Sequence, residues 1–420
     1  MSVSPTLNRA ARIVALVSPR EPADAVLRRE LAPRRDLAPA ERRQIARAIA
    51  AYFRWLNWLD PKAPPQRRVE EALAWQARFD ANPAAIKPAA LAARAVPEWL
   101  AAQMETVPAA WLRELQCEPV LWIRVRRQFA ESLPRALGDC VAAPQVAGFG
   151  ASGPVPAEAS AGSPAPATPV PTAFRYTGSK DLYLTDEFQR GQFEIQDLAS
   201  QWVGCACNPQ PGETWWDACA GEGGKLLHLA DLMQNKGLIW ASDRSVRRLQ
   251  ILKQRAARAE VFNYRAVAWN GGPQSPTRTR FDGILVDAPC SGIGTWQRNP
   301  HARWTVTPAD VHELAGVQRQ LLDHVVGALK PGGRLIYAVC TLTRAETSGV
   351  VAEFSGDHPE LESVPALPFA APPPPASDVQ PADPEPAQAL ADAGSTAPTR
   401  LWPQELKSNG MFIAAWQRRS

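Results

Sequence analysis

From residue 174 onward, short apolar runs alternate with helical periods, and the runs stop on residues able to do chemistry. Glu213 to Ala218 contains Asp217, Gly237 to Ser242 ends at Asp243, Phe281 to Val286 ends at Asp287, and Arg334 to Val339 ends at Cys340. Helical periods at 224–234, 245–258 and 308–329 separate them, and Pro331-Gly332-Gly333 stops the last. Gly410 to Gln417 reads as a closing strand after the Asn409-Gly410 turn. Such alternation predicts an α/β fold with a mainly parallel sheet and helices on both faces. Ligands of these sheets sit beyond the carboxyl ends of the strands, where Asp217, Asp243, Asp287 and Cys340 all fall.

The first 135 residues read differently. Apolar residues recur at helical spacing near 7–17, 22–31, 39–59 and 66–79, with Arg on the other faces. Pro39 and Glu41 suit a helix start, and Ile45, Ile49, Tyr52, Phe53 and Leu56 form a stripe that reads as core. A further helix is expected from Pro97-Glu98-Trp99-Leu100, and a short strand at Val120 to Val125. The expected organisation is a helical domain over 1–96, a connecting α/β segment over 97–139, a linker over 140–173 and an α/β domain over 174–420.

Of 41 prolines, seven lie in 140–173 and eleven in 357–399. Both tracts lack a sustained period and are expected to be disordered, the second as an insertion in the α/β domain. They hold eight acids and no Lys or Arg, so the net charge of +4 conceals a remainder with 46 basic and 34 acidic residues. Arg dominates that excess and suits phosphate contacts. Codon bias toward Arg, Ala and Pro would produce the same excess, so charge alone does not identify RNA as partner. No apolar run approaches the ~20 residues of a membrane span, and no signal-type stretch opens the chain. Seven cysteines without repeating spacing point to a reducing, cytoplasmic setting, and a monomer is the default expectation.

Cys219-Ala220-Gly221-Glu222-Gly223-Gly224-Lys225 follows a strand and opens a helix. Small residues let a ligand approach the backbone, and the helix start favours an anionic group. It is no P-loop, because Cys219 and Leu226 stand where that motif needs Gly and Ser or Thr. A plain tight turn is the alternative. Asp287-Ala288-Pro289-Cys290-Ser291-Gly292 and Val339-Cys340-Thr341-Leu342 place two cysteines at strand ends. No metal site is expected, since a zinc site would need paired C-x-x-C spacing. A deaminase would need a second cysteine after Cys290 and a preceding His-x-Glu, and a cysteine protease a recognisable partner histidine.

Together these motifs resemble the Nop/Sun (RsmB-type) RNA cytosine-5 methyltransferases. Gln196-Asp197-Leu198-Ala199-Ser200, the stretch Gly294-Thr295 through Arg298, Pro300 and Trp304, and the closing Asn409-Gly410-Met411-Phe412 resemble the family too. The resemblance covers 174–356 and 400–418; more weakly, the helical start resembles a NusB-like RNA-binding domain. It implies a class I, Rossmann-like methyltransferase domain preceded by an all-α NusB-like one. It implies S-adenosylmethionine as cofactor and RNA, ribosomal RNA first, as substrate. It further implies Cys340 as the nucleophile that adds to cytosine C6, Cys290 as the residue assisting release, and Asp287 holding the base. Cys219, Ala220, Gly221, Glu222, Gly223, Gly224 and Lys225 would cradle the cofactor, with Asp243 on the ribose, and Arg248 and Asp287 nearby. Lys225 and Arg298 are the cations that would favour a thiolate.

The chain departs from the family pattern at several points. Glu222 replaces a Pro, Gln297 an Arg and His301 an Asp; Tyr264 to Trp269 lacks the usual acid, and Ala345-Glu346-Thr347 only partly matches Glu-Asn-Glu. The alternative reading is therefore a non-catalytic RNA-binding or ribosome-assembly factor on a methyltransferase scaffold. A further alternative reverses the cysteines, with Cys290 attacking.

Overall fold

The computed structural model describes residues 5–18, 21–34, 36–143, 172–367 and 396–420. The disorder expected for the proline-rich tracts falls largely on 144–171 and 368–395, outside the described residues. The chain forms two compact units. One comprises Met1–Pro119 with Ser291–Val311, the other Val120–Cys290 with His312–Ser420.

The first unit is helical, with helices Pro5–Leu16, Ala23–Leu31, Pro39–Arg54, Pro65–Ala81, Pro88–Arg94, Leu100–Gln103 and Ala109–Glu114. Pro39 takes the first helical position of its helix, and the Glu41 carboxylate accepts from the Ala38 N–H at 3.0 Å. Ile45, Ile49, Tyr52 and Phe53 are buried as their spacing predicted, around Trp55, Phe79 and Trp111. Ser291–Val311, expected in the α/β domain, belongs here instead. Buried Arg303 explains why: its guanidinium donates to the carbonyls of Ala95, Leu115 and Trp296, which cap helix and turn ends. Gln297, in place of the family's Arg, donates to the buried Glu114 at 2.9 Å. His301 is buried against the Phe53 ring, and burial lowers its pKa, keeping the imidazole neutral. The expected 97–139 segment is thus divided, its helices in the first unit and its strands in the second.

The second unit carries two sheets. The smaller is antiparallel, in the order β2-β3-β1-β4, from β1 Leu121–Val125, β2 Cys140–Ala142, β3 Ala173–Tyr176 and β4 Phe193–Ile195. The larger follows from β5 Thr214–Asp217, β6 Leu238–Asp243, β7 Tyr264–Ala268, β8 Phe281–Asp287, β9 Leu329–Val339, β10 Leu361–Val364, β11 Thr399–Leu401 and β12 Met411–Arg418. Its order is β10-β12-β9-β8-β5-β6-β7, with β11 on β12. Strands β5 to β9 run parallel, and β12 runs antiparallel to β9, β10 and β11. This is a Rossmann-like sheet whose order reverses beside β5, the place where such sheets open a crevice.

The differences from expectation have local causes. β10 lies inside the tract expected to be disordered; pairing with β12 and burial of Leu361 are enough to order it. β2 likewise sits at the start of the first tract, paired with β3. β9 begins at Leu329, before Pro331-Gly332-Gly333, because a register shift between Phe281 and Gly283 absorbs the extra residues as an irregularity in the pairing with β8.

Gly283 is where β8 crosses Trp215. A Cβ at 283 would meet that indole at 2.2 Å, and the two residues are paired across β5 and β8. Gly283→Ala is expected to cost about 1–3 kcal/mol by overpacking. Thermal melting checks this, and an unchanged midpoint would show that the indole has room to move.

Candidate active site

Tight apolar packing sets the carboxyl edge of the large sheet. Trp215, Trp216 and Asp217 are buried in β5, and Ile284, Leu285 and Val286 in β8 beside it. Asp217 pairs with Leu285, and Asp287 with Ala338, so the ends of β5, β8 and β9 are stepped along one edge.

The glycine-rich turn leaves this edge and is fastened to β6. The Ala220 N–H donates to the Ser242 carbonyl at 2.8 Å, and the Gly221 N–H to Asp243 Oδ2 at 3.1 Å. Asp243 Oδ1 accepts from the Ser245 N–H at 2.7 Å, which starts the helix Val246–Arg258. Gly221 and Gly223 adopt φ of +56° and +86°, which favour glycine. A Cβ at Gly221 or Gly224 would meet only open space, so neither is pressed against packed protein. Gln196, from the Gln-Asp-Leu-Ala-Ser motif, supports the turn from behind, donating to the Gly224 carbonyl at 3.3 Å and accepting from buried Arg124 at 2.8 Å. Asp197 caps the helix Leu198–Cys207 and also accepts from the Asn409 N–H, tying this motif to the closing strand.

Charge is concentrated at the mouth. Lys225 Nζ stands 2.5 Å from Asp287 Oδ2. Burial works against the ammonium, but the Asp287 carboxylate outweighs it and raises the lysine pKa; Cys340 adds to the rise. Asp217 is fully buried, and neither of its carboxylate oxygens has a partner among the described residues. Burial, followed by the nearby Asp287, pushes its pKa up to about 8, against the pull of Lys225. The Cys219 thiol is pushed up as well, by desolvation and then by Asp217, Asp287 and Asp243, so it is held as the thiol.

Cys290 and Cys340, fifty residues apart in sequence, bring their sulfurs to 3.4 Å. Both are half-buried, so one side of the pair reaches solvent. The structure therefore gathers Cys219, Ala220, Gly221, Gly223, Gly224, Lys225, Asp243, Asp287, Cys290 and Cys340 along one edge. Two residues named with them stand apart. Glu222 is exposed, its carbonyl accepting from Arg255 at 3.1 Å, so the departure from Pro leaves the turn intact. Arg248 is exposed on the helix Val246–Arg258. Arg298 is exposed and belongs to the first unit.

Sequence reasoning placed Asp217 at a strand end but gave it no role, and it overlooked Gln318 and Tyr337. Both are buried beneath the cysteines. A Gln at a helical position and a Tyr in an apolar strand carry no motif signal of their own.

The chain is similar to several known proteins. The model of the family described as 16S rRNA methyltransferase RsmB/F matches residues 205–417, about half of the chain. A probable ribosomal RNA small subunit methyltransferase B of Synechocystis sp. is 39% identical over 181 residues, 42% of this chain and 40% of that protein. The mouse tRNA (cytosine(72)-C(5))-methyltransferase NSUN6 is 35% identical over 207 residues, 45% of this chain and 43% of its own. The chain thus spans about two fifths of the length of the curated relatives it matches. Among solved structures, that of PH0851 superposes with a TM-score of 0.71 over 100% of both chains at 20% identity. A methyltransferase homolog from Pyrococcus horikoshii gives 0.56 at 25% identity, over 74% of this chain and 90% of its own.

Asp217 gives this edge a measurable signature. Its folded pKa of about 8 exceeds the ordinary value of 3.8, so the native state keeps a proton that the unfolded chain releases. Its contribution to stability is complete below pH 3.8 and falls as pH rises toward about 8. Asp217→Asn removes this dependence. The thermal midpoint of the variant is expected to exceed that of the parent by a margin that widens from pH 4 to about 8 and is level above. A margin independent of pH would contradict the assignment.

Proposed function

The chain belongs to the 16S rRNA methyltransferase RsmB/F family, and from that footing we propose that it transfers a methyl group from S-adenosylmethionine to C5 of cytosine in RNA, with ribosomal RNA as the first candidate. The observation that carries this reading is the pair of sulfurs 3.4 Å apart beside the Lys225–Asp287 ion pair.

The residues present fit the cofactor. The open space at Gly221 and Gly224 gives its methionine part access to the backbone, and buried Asp217, whose oxygens lack a partner among the described residues, offers a carboxyl group that the cofactor's ammonium would draw into its ionised form. Asp243, at the end of β6, is placed to hold ribose hydroxyls. When bound, S-adenosylmethionine supplies an electrophilic methyl group on a sulfonium centre.

The chain's own residues do the rest. Cytosine C5 is a weak nucleophile, and addition of a thiolate to C6 corrects this. The Cys340 sulfur forms the S–C6 bond, and the electrons of the C5–C6 double bond move onto C5, which takes the methyl group. The C5 proton then leaves to a base, its electron pair restores the double bond, and the S–C6 bond breaks to return the thiolate. Lys225 favours negative charge at the neighbouring sulfur. Asp287 uses one oxygen on Lys225 and leaves the other to accept from the cytosine amino group. Cys290, next to the departing sulfur, assists release. The target base must be unstacked to reach these atoms.

The helical first unit is read as a NusB-like RNA-binding domain, on its all-helical make-up and its Arg-rich faces. A monomer working in the cytoplasm is the accompanying proposal, on the scattered cysteines. One observation favours the non-catalytic alternative. The segment Tyr264 to Trp269 lacks the family's acid, and its Trp269 is instead buried against Trp216 with ring centroids 5.0 Å apart. Calorimetry with S-adenosylmethionine separates the two, since absence of binding would favour the alternative.

Incubation with tritiated S-adenosylmethionine and ribosomal RNA is expected to label 5-methylcytosine. Cys340→Ala should reduce labelling by at least ~10³-fold, the scale of a lost covalent nucleophile. Cys290→Ala should accumulate a denaturant-stable protein–RNA complex, because release is slowed after attack. Labelling retained in Cys340→Ala would overturn the assignment.

A further inference from the structure

Beneath the two cysteines lies a buried polar cluster that the chemistry above does not use. Gln318, on the helix Pro308–Val326, is fully buried. Its Nε2 donates to the carbonyl of Pro289 at 2.9 Å and to Glu346 Oε1 at 3.0 Å. Pro289 is the residue before Cys290. The other oxygen of Glu346 accepts from Thr341 Oγ1 at 3.0 Å and Thr343 Oγ1 at 2.9 Å. Thr341 is the residue after Cys340. The Tyr337 hydroxyl closes the cluster, 2.9 Å from Gln318 Oε1 and 2.7 Å from the Glu346 carbonyl.

The chemistry of the partners fixes the amide's orientation. A peptide carbonyl and a carboxylate only accept, so the –NH₂ must face them and the amide oxygen must face the tyrosine. No other uncharged side chain of this length presents two donors to one side and an acceptor to the other. Burial, followed by Cys290 and Glu346, holds the Tyr337 pKa well above its usual value, so the phenol remains a donor. Glu346, Thr341 and Thr343 are all fully buried, where a lost partner is costly.

We propose that Gln318 is a positioning residue that holds the two cysteines at working distance, by bonding the backbone before Cys290 to the carboxylate that anchors the residue after Cys340. Attack by one sulfur and release assisted by the other require both to face the same base, and the Gln318 amide bonds both the Pro289 carbonyl and Glu346. The proposal rests on the functional reading for its purpose, though its geometry can be tested without any methyl transfer.

The probe is the azo oxidant diamide acting on the RNA-free, full-length protein. Two S–H bonds break, one S–S bond forms, and diamide takes up the two electrons and two protons as its hydrazine. The rate at which peptides containing Cys290 and Cys340 become linked, read by mass spectrometry without reductant, reports how well the sulfurs are held together. Gln318→Leu and Gln318→Glu are expected to slow this linkage at least tenfold; the latter sets a carboxylate against Glu346 and the Pro289 carbonyl. Thr341→Val should slow it as well, while Thr341→Ser keeps the hydroxyl and the parental rate, a contrast that holds even where a Gln318 variant folds poorly. In methylation assays Gln318→Leu should lower kcat at least tenfold and leave KM for RNA and the affinity for S-adenosylmethionine unchanged. Parental linkage rates in both Gln318→Leu and Thr341→Val would overturn the proposal. Expected linkage rates in a parent that methylates no RNA would uphold the positioning and remove the functional reading.

Discussion

The pairing of β8 with β5 on one side and β9 on the other determines where every reactive group stands. Parallel strands that pair in this way end on the same edge, and here the edge carries Asp217, Asp287 and the two loops bearing Cys290 and Cys340. The pairing needs close approach, which is why Gly283 lies under the Trp215 ring. The reversal of strand order beside β5 is where such sheets open a crevice, and Gly221 and Gly224 of the glycine-rich turn bring no side chains to it.

Electrostatics then sorts the groups on that edge. Three carboxylates and one lysine are gathered with little solvent to screen them. Lys225 is claimed by Asp287, and Asp217, buried with no side-chain partner among the described residues, holds its proton to about pH 8. Cys219, among the same carboxylates, is held as the thiol. Cys340 instead lies within electrostatic reach of Lys225.

Much of this was legible in the sequence, for physical reasons. Strands buried on both faces read as continuous apolar runs, so β5, β6 and β8 and their terminal acids stood out. β7 did not, because its five residues are all partly exposed and carry Arg265 between Tyr264 and Ala266. β10 did not either, since an edge strand that buries Leu361 alone looks like the proline-rich tract around it. The cysteines, the turn, Lys225, Asp243 and Asp287 were found by motif, and the structure gathers them. Arg248 was named on motif spacing alone, and spacing does not say which way a helix face points. The unit boundary at Ser291 was invisible, because the residue that sets it, Arg303, is an arginine that reads as surface and is fully buried. Gln318 was missed for the same reason.

The central claim is that Cys340, and not its neighbour 3.4 Å away, bonds to the base. The most direct measurement is to trap the protein on RNA containing 5-azacytidine, digest both components, and locate the nucleotide on the peptide by tandem mass spectrometry. The account predicts the added mass on Cys340 within Leu335 to Arg344. The same mass on Cys290 would contradict it.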